Sequence, residues 1–164
     1  MKSKWTVWIS LSILSVAGLV CAKLALAAEQ DDKAVRNAAA RFYAALNEMF
    51  TGELGPMKKV WSHADDVTYM GPGGGFQVGW NQVLKNWEGQ AAMKLGGKVE
   101  PADMRITTGT DIAVVSNYEK GENTNAKSVP QKVSIRATNI FRKENGEWKM
   151  IGHHTDLLPY LVDQ

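Results

Sequence analysis

The chain has one cysteine, Cys21, and it lies in an apolar N-terminal stretch. Beyond it there is no thiol to form a disulfide, act as a nucleophile or build a thiolate metal site. An excess of either charge is missing as well, with 19 basic residues against 17 acidic ones. A balance this even, with no basic stripe interleaved with aromatics, leaves no electrostatic footprint for nucleic acid. No internal repeat and no low-complexity linker divides the sequence.

What is present begins with Lys2 and Lys4, followed by a mostly apolar run from Trp5 to Ala22 and a small-residue end, Ala25-Leu26-Ala27. This three-part grammar is that of a secretory signal, with cleavage expected after Ala27. A retained membrane anchor and a lipoprotein acylated at Cys21 are the alternatives. The run is only just long enough to span a bilayer, and Val20 is not the small residue such an acylation site wants. Removal of residues 1–27 from the 164 leaves residues 28–164, which is 137 residues and the size of one domain with its own core. Lys2, Lys4 and Lys23 leave with the signal, taking the basic count from 19 to 16 against 17 acids. The expected product is a near-neutral domain, periplasmic or secreted, with no membrane attachment after signal removal.

Val35, Ala39, Phe42, Leu46 and Met49 recur at three- and four-residue spacing, which predicts an amphipathic helix over 32–50. Gly52 and Gly55-Pro56 end it, and a short helical turn is expected over 57–61. Val67 to Met70 alternates like a strand. The run Gly71-Pro72-Gly73-Gly74-Gly75 is a loop without the Gly-Lys-Ser/Thr ending of a phosphate cradle. Val83, Leu84, Trp87 and Ala91 predict a second amphipathic helix over 80–93. Strands are expected near 99–107, 112–120, 131–143 and 147–154. Asn145-Gly146 is a tight-turn signal that joins the last two and sets Phe141 opposite Met150, Asn139 opposite Gly152 and Ala137 opposite His154.

Helices followed by antiparallel strands point to an α+β domain. The segments WSHADDVTYMGPGG, GWNQVLKNW and RATNIFRKENGEWKMIGHHTDLLP resemble SnoaL-like members of the nuclear-transport-factor-2-like, ketosteroid-isomerase-like superfamily. The resemblance runs from about Asp32 to Leu161. It implies a cone in which a strongly curved antiparallel sheet wraps around N-terminal helices, a pocket on the concave face, and homodimers paired through the outer face. It does not choose among isomerase, dehydratase, binding and structural roles, because that cone hosts many of them.

Regular alternation along the last hairpin puts Ile135, Ala137, Asn139 and Phe141 on one face with Met150, Gly152, His154 and Asp156. The resemblance makes this the inner face, with His153 pointing outward. His154 and Asp156 are then the candidate catalytic pair, since a carboxylate two residues away can orient an imidazole as general base. A hydrogen-bonded histidine beside a strand-closing carboxylate is the structural alternative. Tyr43, Trp61, Tyr69, Trp87, Asn139, Phe141 and Met150 are the expected pocket-lining residues, suited to a small apolar or aromatic molecule. Tyr43 and Tyr69 are possible hydroxyl donors. No metal and no cofactor is implied, because His153 and His154 diverge to opposite faces and only His63 remains to be recruited.

Overall fold

The computed structural model describes residues 5–125 and 127–156, with side chains from Leu26 onward except Ala28. The expected signal, residues 1–27, lies almost wholly outside the described side chains. The helix α1 (Trp5–Met49) leads into α2 (Gly55–Val60), β1 (Thr68–Met70), β2 (Gln77–Val78) and α3 (Trp80–Met93). The long strands β3 (Lys98–Thr108), β4 (Ile112–Thr124), β5 (Pro130–Glu144) and β6 (Glu147–Asp156) complete the chain. They form one curved six-stranded sheet in the order β2-β1-β6-β5-β4-β3. Among the described residues no helix is long and apolar enough to cross a membrane.

The sheet folds around the apolar stripe of α1. Val35, Ala39, Phe42 and Met49 are fully buried there, joined by Met57, Trp61 and Trp87 from the other helical segments. The expected periodicities over 32–50 and 80–93 therefore mark the faces that bury. Asn145 and Gly146 both have positive φ, at 52° and 84°, as the tight hairpin turn requires. Gly121 permits the close approach of β3 and β4, because a Cβ there would collide with the Lys98 carbonyl.

The last hairpin departs from strict alternation. Phe141 pairs with Met150 as expected, but Ile140 pairs with Gly152, Asn139 with His153 and Thr138 with His154. Ile151 is an extra residue, a β-bulge that sets two residues of β6 against one of β5. It falls where the neighbouring chain changes partner. Trp61 bridges to Met150 and the Ser62 N–H donates to the Met150 carbonyl at 2.9 Å. Just beyond the bulge, β1 pairs in parallel with Gly152, His153 and His154.

Candidate functional site

The bulge corrects the expected inner face. Past Ile151 the phase of β6 reverses, so His153 and Thr155 turn inward and are buried, while His154 and Asp156 lie on the outer face. The side chains of His154 and Asp156 keep 44% and 42% of their accessibility, against 4% for His153. The pairing itself is present, with His154 Nε2 3.0 Å from Asp156 Oδ1, and Arg136 also reaches Asp156 at 3.2 Å. The pair sits in a shallow outer groove with Arg105, Ser116 and Thr138, on the far side of the sheet from the core.

The inward face carries a buried polar chain that crosses the molecule from β6 to α1. Asn117 and Glu119 come from β4, in phase with the buried Ala113 and Val115. The Asn117 Nδ2 amide donates to the Tyr118 carbonyl and to Tyr43 Oη, both at 2.8 Å. A carbonyl only accepts, so this contact fixes the Asn117 amide and leaves its Oδ1 as an acceptor. Asn139 Nδ2 then donates to Asn117 Oδ1 at 3.1 Å and to Tyr43 Oη at 3.2 Å. Tyr43 Oη, accepting twice, gives its one hydrogen to Glu119 Oε1 at 3.1 Å. Asn139 Oδ1 accepts from His153 Nδ1 at 2.6 Å. The neutral His153 ring therefore carries its proton on Nδ1 and a lone pair on Nε2.

That lone pair faces Glu119, with Nε2 3.8 Å from Oε1. Burial pushes the Glu119 carboxyl up to about 7, with the Tyr43 hydrogen bond partly opposing the rise. Burial holds His153 down to about 3, aided by the nearby His154. At neutral pH the histidine is thus uncharged and the contact is no salt bridge. Tyr43 is driven well above the ordinary phenol range by its burial and by Glu119. Its hydrogen is committed to the carboxyl, so it supports the site from behind rather than facing a ligand.

Glu119 and His153 line the floor of a cavity of about 290 Å³. Tyr69 and Trp87 form its inner wall, and Phe50, Leu46, Leu95 and Val99 add apolar surface. The Tyr69 ring stacks on His153 at 5.7 Å and 12°. Its Oη accepts from Gln90 Nε2 at 2.8 Å, which leaves the Tyr69 hydroxyl hydrogen to donate elsewhere. The buried Trp87 indole N–H and Thr155 hydroxyl, both in cavity-lining residues, have no partner among the described residues.

Of the expected pocket residues, Tyr69 and Trp87 line this cavity. Asn139 and Tyr43 lie behind its floor in the polar chain, and Trp61, Phe141 and Met150 fill the core. His153, Glu119 and Asn117 were not among the expected site residues. The signal for Glu119 was a carboxylate in phase with Ala113 and Val115 along one strand. Among the described residues no three His, Cys, Asp or Glu side chains converge.

The model of the SnoaL-like domain family matches residues 35–158, most of the chain. The chain belongs to the SnoaL-like domain family. This SnoaL-like domain shares its fold with a nuclear transport factor 2-like superfamily protein of Salmonella enterica serovar Typhimurium. The TM-score is 0.70 at 13% identity, over 79% of this chain and 92% of that one. A proposed dehydratase of the NTF2-like family from Streptomyces avermitilis superposes with TM-score 0.69 at 21% identity, covering 79% and 98% of the two chains. A proposed ketosteroid isomerase from Shewanella frigidimarina gives 0.59 at 20% identity, over 73% and 92%. The comparison with curated proteins gave no match. At these identities the likenesses establish the cone fold of this SnoaL-like domain.

Proposed function

We propose that this SnoaL-like domain binds a small, largely apolar or aromatic molecule in the cavity and moves a proton on it. The Glu119 carboxyl, brought up to about 7, and His153 Nε2 beside it are the groups that handle that proton. The observation that carries the reading is that these two groups face each other at 3.8 Å on the cavity floor, neither with a further ionic partner among the described residues. Buried acid and base groups with displaced pKa values and no charge to satisfy them are the usual mark of proton-transfer sites. Dehydration and isomerisation both need one group to take a carbon-bound proton and another to give one. That agrees with the names carried by the Streptomyces and Shewanella proteins.

The test is a thermal-shift screen of small aromatic and carbonyl compounds, followed by turnover assays of the hits. Stabilising compounds are expected, with turnover lost in Glu119→Gln and His153→Phe. A screen without hits on the folded protein refutes the binding reading, and turnover unchanged by both substitutions refutes the proton-transfer part. The reading retains export through residues 1–27 and pairing of two copies through the outer sheet face. N-terminal sequencing of the exported protein and native mass spectrometry test these two parts.

A further inference from the structure

The proton ordering on the cavity floor restricts what can fill it. His153 Nε2 can only accept, because Nδ1 holds the ring proton against Asn139 Oδ1 at 2.6 Å. Glu119 Oε1 already accepts from Tyr43, which leaves Oε2 to carry the proton of a neutral carboxyl in this cavity-lining residue. The 3.8 Å between Nε2 and Oε1 is too long for a hydrogen bond. A single group that donates to Nε2 and accepts from the protonated carboxyl answers both residues at once. An ammonium only donates and a carboxylate only accepts, so neither answers both a bare Nε2 and a protonated carboxyl. An ether or a simple ketone meets the carboxyl and leaves Nε2 unanswered.

We infer that the ligand of this cavity is a neutral hydroxyl compound on an aromatic body, its hydroxyl hydrogen going to His153 Nε2 and its oxygen receiving the Glu119 proton. The inference rests on reading the cavity as a small-molecule site and names the chemistry of its occupant. The rings of Phe50, Tyr69 and Trp87 supply the walls for a flat body. Among the described residues four titratable groups face or share the space around Glu119: Tyr43 from α1, Tyr69 from β1, His153 from β6, and Lys132 of β5 in the cavity lining. Burial raises Tyr43 and Tyr69 and lowers His153, and it brings the Glu119 carboxyl up to about 7. Its loss of the proton removes the donor to the ligand oxygen, and affinity falls with it.

The experiment compares naphthol, methoxynaphthalene and naphthalene by calorimetry on the purified chain at about pH 6 and about pH 8, both below the ordinary ionisation range of a phenolic hydroxyl near 10. Naphthol is expected to bind at least about tenfold more tightly than its methyl ether at the lower pH, the scale of one buried, unanswered hydrogen-bonding group. That advantage shrinks at the higher pH. Nitrogen NMR of the histidine rings should show His153 protonated on Nδ1 without ligand, with Nε2 alone moving when naphthol binds. Glu119→Gln, whose amide still donates, keeps the naphthol preference and loses its pH dependence. His153→Phe brings naphthol down to the ether. Equal binding of all three probes overturns the inference and leaves the pocket standing. Absence of binding by all three on folded protein overturns both this inference and the reading beneath it. A His153 ring protonated on Nε2 overturns the inference whatever the affinities.

Discussion

At the scale of single residues, Glu119 and His153 are opposite cases of one cause. Burial disfavours charge, so it raises the carboxyl and lowers the imidazole. Carbon NMR of Glu119 is expected to show a midpoint about 7, well above the 4.5 of an ordinary glutamate. His154, only partly covered, does not share this environment. His154→Ala is therefore expected to leave ligand-induced stabilisation unchanged, whereas His153→Phe diminishes it. A cavity response lost in His154→Ala would contradict the facing described here. The ion pair of Arg142 with Asp66 lies at the surface, with Asp66 63% exposed. Asp66→Ala is expected to cost less than about 1 kcal/mol in chemical denaturation.

At the scale of elements, most of the architecture was legible. The helical spacing of Val35, Ala39, Phe42 and Met49 and the Asn145-Gly146 turn each name a local structure that tertiary contacts reinforce. The site was not legible, because one residue, Ile151, shifts every side chain after it to the opposite face. A bulge has no compositional signature as firm as that of a turn. Gly152 beside it was the faint hint, since a Cβ there would stand 3.3 Å from both Ile140 Cδ1 and Thr68 Oγ1. Gly121 offers a direct test of sheet closure. Gly121→Ala would place a methyl group against the Lys98 carbonyl, and a loss of about 2–3 kcal/mol in denaturant unfolding is expected.

For the whole molecule, the two shifted groups act on stability with opposite sign. The Glu119 carboxyl holds its proton more tightly folded than unfolded, so its contribution is full below about 4.5 and is lost as pH rises towards about 7. His153 takes up its proton more readily unfolded, so its contribution is full above about 6.5 and is lost as pH falls towards about 3. Between about 4.5 and 6.5 the two slopes oppose. The wild-type chain is expected to show a nearly level melting temperature there. Glu119→Gln should show one that climbs with pH, and His153→Phe one that declines. Parallel profiles in all three proteins would mean that the two groups do not titrate as their burial implies.

The sequence by itself determined the order of the helices and the long strands, the hairpin turn and the buried stripe of α1. These follow from periodicity and turn chemistry, which act over a few residues. Only the tertiary structure decided which histidine faces the cavity and which carboxylate meets it. The phase of β6 is set where β1 docks against it, and the environment of Glu119 is set by Tyr43, 76 residues away in the chain. Burial and proton ordering are properties of groups brought together from distant positions, and no local pattern encodes them.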